Sequence, residues 1–296
     1  MVLALVKGAT FFFVTGLGFV GNMFVLVNYL FMFEGTQKKS IHFIFIHLTF
    51  TNIMILLLKG IPKTIALDMG NFFDEIGCKI IVYFTRMARG LSICTSSLLT
   101  LVQAIIISPR DSVWRKLKLQ SGWHILLPLL FFWILNSLIS MNLLFHIKNI
   151  SRNTSQISKH DNYCYFVPDN LIMRWSFLTL MVLRDAVFQG ILGVASGYMV
   201  FLLHKHHQRV LYLQNSNFLC KTPPEMKATQ NVLFLMLCFL FFYWTDCFLS
   251  LYLTLSLENE STTLAVQEFL SLGYALFSPF VLIPRGGHLA ECWQSQ

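Results

Sequence analysis

The chain has 296 residues, 55% of them hydrophobic and only 12% charged, with 29 phenylalanines and a mean hydropathy of +0.63. A soluble domain carries about 25% charged residues, so a soluble enzyme, a disordered chain and a secreted disulfide scaffold are excluded, and the bulk must lie in lipid. The net charge of +8 has no apolar-poor basic domain to hold it. Nucleic acid is therefore excluded as a partner, and the informative quantity is which side of a membrane the charge lies on.

Crossing roughly 30 Å of hydrocarbon takes about 20 apolar residues. Seven windows qualify, in chain order Gly8–Phe33, Ile41–Leu67, Cys78–Ile107, Trp123–Phe145, Trp175–Leu203, Thr229–Leu257 and Leu264–Ile283. The first is far longer than the ~7–15-residue apolar region of a signal peptide and lacks a small-residue cleavage site after it, so it reads as a span. No internal repeat and no second composition regime interrupts the pattern. Residues 1–296 read as one all-α membrane domain.

Orientation follows from Lys and Arg in the loops. The loops after spans one, three and five and the tail hold Lys38, Lys39, Arg110, Arg115, Lys116, Lys118, Lys205, Arg209, Lys221, Lys227 and Arg285. Those eleven stand against Glu34, Asp111, Glu225 and Glu291, a net of +7. The other side holds five basic and seven acidic groups, a net of −2. The amino terminus is expected outside and the carboxyl terminus inside. Sequons at Asn149, Asn153 and Asn259 all fall in loops assigned to the outside, as glycosylation requires.

Of the seven cysteines, Cys94, Cys238 and Cys247 lie within spans and are expected to pack as small hydrophobes, while Cys220 and Cys292 face the reducing side. Only Cys78 and Cys164 share an oxidising compartment. A Cys78–Cys164 disulfide would hold the 29-residue loop His146–Arg174 over the mouth of the bundle.

An outside amino terminus, seven spans and that disulfide resemble a rhodopsin-like G-protein-coupled receptor. The run Gly90-Leu-Ser-Ile-Cys-Thr-Ser-Ser-Leu-Leu-Thr-Leu-Val-Gln-Ala-Ile-Ile-Ile-Ser-Pro-Arg110 resembles the third-span signature of vomeronasal type-1 receptors. Lys59-Gly-Ile-Pro-Lys-Thr64, Phe132-Trp-Ile-Leu-Asn136, Leu183-Arg-Asp185, Ala195-Ser-Gly-Tyr-Met-Val200 and His204-Lys-His-His-Gln-Arg-Val210 are similar to the same family, in order. So are Pro224-Glu-Met-Lys-Ala-Thr229, Phe242-Tyr-Trp244 and Ser278-Pro-Phe-Val-Leu-Ile283. The third span carries Val102-Gln103-Ala104 where the wider class has Asp-Arg-Tyr, and the sixth and seventh lack Cys-Trp-x-Pro and Asn-Pro-x-x-Tyr. The usual ionic-lock account of activation therefore does not transfer. Asn52 stands where the class usually has an ion-binding Asp, so no sodium ion is expected, and neither a cofactor nor another metal is implied.

Ionisable groups within a span are costly and are functional candidates by default. Here they are Lys59, Lys63, Lys79, Arg86, Arg89, Arg184, Asp185, Asp246 and Glu268. At 1.5 Å per residue, Arg86 and Arg89 lie about 12 and 16 Å below Cys78, and Asp246 about 16 Å below Leu257. Lys79 can snorkel to the interface; the rest mark a polar, net-positive cavity in the outer half. Two readings stand beside each other. In one, the surplus charge, above all Arg86, anchors an anionic ligand such as a sulfated steroid, since a guanidinium binds two sulfate oxygens at once. In the other, the charges pair and hold the helices in register. The candidate ligand set is Tyr83, Arg86, Arg89, Arg184, Asp185, Tyr243, Trp244, Asp246 and Glu268; Tyr274 is a further aromatic candidate. On the inner side Arg110, Arg115, Lys116, Arg209, Lys221 and Lys227 are candidate contacts to an acidic G-protein surface, although the positive-inside rule alone explains most of that charge. His204, His206 and His207 have no second ligand set at metal-site spacing and read as solvated.

The resemblance implies a multi-pass plasma-membrane chemoreceptor. It would bind a small pheromone or odorant in the outer half and activate an inhibitory-class heterotrimeric G protein, without breaking a bond. A bitter-taste receptor is the nearest alternative but lacks this third-span signature. A transporter would show inverted repeats or matched broken helices, and a hydrolase would need a nucleophile and base at one depth. The in-span histidines, His42 and His47, lie near the inner end of span two, away from the outer charges.

Overall fold

The computed structural model describes residues 2–33, 39–68, 75–109, 123–148, 165–166, 171–214, 224–255 and 261–282. Among them are seven helices: α1 (Val2–Phe33), α2 (Lys39–Asp68), α3 (Glu75–Ile107), α4 (Trp123–His146), α5 (Leu171–Gln214), α6 (Pro224–Leu255) and α7 (Ser261–Leu282). Each overlaps one expected span. Five carry apolar stretches long enough to cross a bilayer, while the corresponding described stretches of α4 and α7 are shorter, Ile125–Met141 and Phe269–Leu282. Two departures from the sequence reading stand out. Helix α5 runs past its apolar window to Gln214, because helical backbone continues wherever its hydrogen bonds continue, whatever the hydropathy. A two-residue antiparallel ribbon, β1 (Ile147–Lys148) with β2 (Tyr165–Phe166), lies in the segment joining α4 to α5.

Contact register fixes helix direction. Phe11 meets Phe269, and a Cβ at Gly21 would stand 3.2 Å from Pro279, so α1 and α7 advance together. Tyr29 stacks on Phe45 at 5.0 Å and Gly60 faces Thr15, so α1 and α2 run antiparallel. Helix α3 is central: every residue from Leu91 to Ser97 is buried. Its small residues allow this, because glycine, serine and cysteine let neighbouring backbones approach closely. Three of its hydroxyls are satisfied locally, Thr95 on the Leu91 carbonyl, Ser97 on that of Ile93 and Thr100 on that of Ser96. Outward faces are apolar, with Phe13, Phe31, Val194 and Phe248 among the most exposed large side chains.

Two polar knots tie the bundle away from the charged cluster. Pro279 has no N–H, so the Ala275 carbonyl one turn earlier loses its helical donor. Asn22 Nδ2 donates to it at 2.8 Å and also to Gly18 O, joining α1 to α7. Asn52 Nδ2 donates to Ser278 Oγ at 2.8 Å, adding α2 to the same knot. In the second, Trp133 Nε1 donates to His47 Nε2 at 2.8 Å. The proton must then sit on His47 Nδ1, which donates to Thr95 Oγ1 at 2.9 Å. This chain binds α4, α2 and α3 through a neutral imidazole.

Candidate receptor site

Five of the in-span charges expected in the outer half, Lys59, Arg89, Arg184, Asp185 and Asp246, come together in the half of the bundle where α3 begins, while the side chain of Lys63 is outside the described residues. Arg184 of α5 is 5% exposed. Its Nε donates to Asp185 Oδ1 at 2.8 Å and its Nη1 to Asn136 Oδ1 of α4 at 2.9 Å. Asp185 Oδ2 accepts from the Tyr243 hydroxyl of α6 at 2.6 Å. The Arg89 guanidinium of α3 lies 5.3 Å from the Tyr243 ring centroid, and its Nη1 is 2.6 Å from Asp246 Oδ2. One network therefore crosses α4, α5, α6 and α3. Gly90 lies against it: a Cβ there would collide with Asn136 Oδ1 and Arg184 Nη1. Asn136 is held in place by its own Nδ2, which donates to Phe132 O at 2.8 Å and to Cys94 Sγ at 3.6 Å.

Beside this network a cavity of about 50 Å³ lies between α2, α3, α6 and α7. Lys59, Arg89, Ser92, Tyr243, Asp246 and Tyr274 line it. Lys59 Nζ donates to Ser271 Oγ at 2.6 Å, and the Tyr274 hydroxyl is 3.3 Å from Ser96 Oγ. Phe239 meets Tyr274 edge-on at 4.6 Å and stacks on Tyr243, fixing both rings.

The expected site residues separate into groups. Arg89, Arg184, Asp185, Tyr243 and Asp246 come together as described. Arg86 is exposed and makes no hydrogen bond or ion pair with a described residue, although Arg89, Asp246, Arg184 and Asp185 are the charges acting on it. Tyr83 packs edge-on to Phe84 at 5.2 Å and does not line the cavity. Trp244 is 52% exposed beside Phe248 and faces away from the cavity, because the next residue along a helix is turned by about 100° from Tyr243. Glu268 lies on α7, and its side chain is outside the described residues. So are the side chains of Cys78, Arg209 and Lys227 within their helices, and all of Cys164, Asn149, Asn153, Asn259, Arg110, Arg115, Lys116 and Lys221. Of the three clustered histidines, His204 is exposed and 3.0 Å from the Gln208 amide. No group of three metal-ligating side chains occurs among the described residues. Sequence reasoning assigned no role to Asn136 or Ser92. The available signal was an amide and a hydroxyl held inside otherwise apolar helices.

Seven apolar helices around a polar, charged site in one half of the bundle define a membrane receptor of the G-protein-coupled class. The sequence profile of the vomeronasal organ pheromone receptor family matches residues 5–295, and the chain belongs to that family. It is 34% identical to vomeronasal type-1 receptor 100 of Rattus norvegicus over 97% of this chain and 88% of that one. It is 33% identical to vomeronasal type-1 receptor 51 of Mus musculus over 96% and 90%, and 32% identical to vomeronasal type-1 receptor 3 of Homo sapiens over 90% and 87%. The family is one of receptors and not of enzymes. Its members are membrane proteins that take a small-molecule ligand and couple to a G protein, and the bitter-taste and transporter alternatives find no support.

Proposed function

We propose that this receptor binds an acidic pheromone-like molecule, with a sulfated steroid as the type case, in the half of the bundle where α3 begins. The observation that carries this is the unequal commitment of the arginines. Arg89 and Arg184 are each at ion-pair distance from a carboxylate, whereas Arg86 has no such partner among the described residues. A cation held near a membrane-embedded site with no directly paired carboxylate among the described residues is a ready anchor for an anion. Loop charge and the three sequons support placing this half outside. The same pattern supports a Cys78–Cys164 disulfide across the mouth.

Ligand would favour the conformation it contacts best, shifting the helices toward an open inner face that promotes nucleotide exchange on an inhibitory-class G protein. Arg110, Arg115, Lys116, Arg209, Lys221 and Lys227 are the basic groups available to that partner. The test is second-messenger signalling in cells expressing the chain with a promiscuous G protein, challenged with sulfated and neutral steroid pools. Arg86→Ala should abolish the response to the sulfated pool while surface staining persists. Loss of staining, or an undiminished sulfate response, would refute the anchor.

A further inference from the structure

The two ion pairs of the site differ in quality. Arg184 meets Asp185 through an aligned Nε–H···Oδ1 bond of 2.8 Å, and both side chains are well buried, 3% and 13% exposed. Arg89 Nη1 stands 2.6 Å from Asp246 Oδ2 without the alignment of a hydrogen bond. The Arg89 side chain is 29% exposed and that of Asp246 only 4%. The cation is thus accessible while its counterion is sealed. One turn further along α3, Ser92 lines the same cavity, is 3% exposed, and its hydroxyl has no hydrogen-bond partner among the described residues. A guanidinium and an unused hydroxyl on one helix face, three residues apart, form a donor set for an oxyanion.

Size makes the second point. The cavity is about 50 Å³, whereas small-molecule pockets hold roughly 300 Å³ or more. A steroid-sized ligand enters only if a wall moves, and Arg89–Asp246 is a charged tie between the α3 and α6 walls. We infer that the ligand's acidic group is received by Arg89 and the Ser92 hydroxyl in place of the Asp246 carboxylate, and that this exchange releases α6 from α3. The inference rests on the acidic-ligand reading above and places that ligand's head group. Arg86, about 4.5 Å further toward the mouth by helical rise, makes the first contact and Arg89 the final one. The released carboxylate supplies the coupling. Left unpaired at its present burial it is costly, and rotation of α6 relieves that cost by bringing Asp246 to water.

The test measures surface-normalised signalling with a promiscuous G protein, without ligand and with a steroid 3-sulfate beside its free 3-hydroxyl parent. Arg89→Gln, which leaves the buried Asp246 carboxylate without its cation, should raise the ligand-free signal about fivefold or more, whereas the double variant Arg89→Gln/Asp246→Asn, whose neutral amides can still bond one another, should not. Ser92→Ala should weaken potency for the sulfate about tenfold, the loss of one hydrogen bond to a charged group. A flat ligand-free signal from Arg89→Gln, or an equal rise in the double variant, at wild-type surface density overturns the inference. If Arg86→Gln abolishes the sulfate response while the Arg89→Gln signal stays flat, the acidic-ligand reading stands and this inference falls. If the Arg89→Gln signal rises alone but the wild-type chain ignores the sulfate, the closure by Arg89–Asp246 stands and the acidic head group is overturned.

Discussion

Replacing Arg184 is the most direct probe of whether the charged network holds the fold. Arg184→Met removes the donors at 2.8 Å to Asp185 and at 2.9 Å to Asn136 while keeping the apolar stem. Removing one partner of a buried pair costs about 3–5 kcal/mol. Asp185 keeps the Tyr243 hydroxyl at 2.6 Å and is 13% exposed, which places this variant at the lower end, near 3 kcal/mol. Asp185→Asn strands the arginine instead, at 3% exposure, and should cost a similar amount. The double variant Arg184→Met/Asp185→Asn leaves no buried charge and should recover most of the loss, a coupling of about 2 kcal/mol or more against the ~0.5 kcal/mol within which independent sites add. Thermal unfolding of the detergent-solubilised receptor, followed through a fluorescent fusion, reads all four corners of the cycle. Additivity within ~0.5 kcal/mol would refute the reasoning, because it would show that the pair contributes nothing as a pair.

Three further outcomes are expected. Gly90→Ala places a methyl against Asn136 and Arg184 and should lower stability by about 1–3 kcal/mol, the range for overpacking; the same unfolding assay would show it as a reduced midpoint. Asn22→Ala takes the 2.8 Å donor from the Ala275 carbonyl and should cost about 1–3 kcal/mol. Adding Pro279→Ala restores an N–H to that carbonyl and should return part of the loss, so a double variant no better than the single would contradict the account. Enzymatic removal of N-glycans should shift the mobility of the expressed chain, and the variant Asn149→Gln/Asn153→Gln/Asn259→Gln should show no shift; the absence of a shift in the unmutated chain would count against assigning those loops to the outside.

The sequence by itself determined the membrane class, the seven helices and the roster of charged candidates, because lipid imposes a nearly one-dimensional rule. A segment long and apolar enough must cross, and an ionisable group inside it must have a reason. The third-span signature and its companions added the receptor family, since they run in order along almost the whole chain. Arg89, Arg184, Asp185 and Asp246 were legible as candidates on these grounds, and Tyr243 through its place beside Asp246 on one span. Their pairing was not. Asp246 lies far along the chain from Arg89, and its choice of that partner depends on how α6 is rotated against α3. The same rotation separates the neighbours Tyr243, which joins the network, and Trp244, which faces outward. Asn136 acquired its role only when Gly90 let α3 and α4 close to within reach of Arg184. The knot at Ala275 shows the same division, because Pro279 announces a missing donor in the sequence while only the packing of α1 against α7 supplies Asn22 to replace it. Composition and spacing decide what must be buried; the rotation and approach of whole helices decide which buried groups meet.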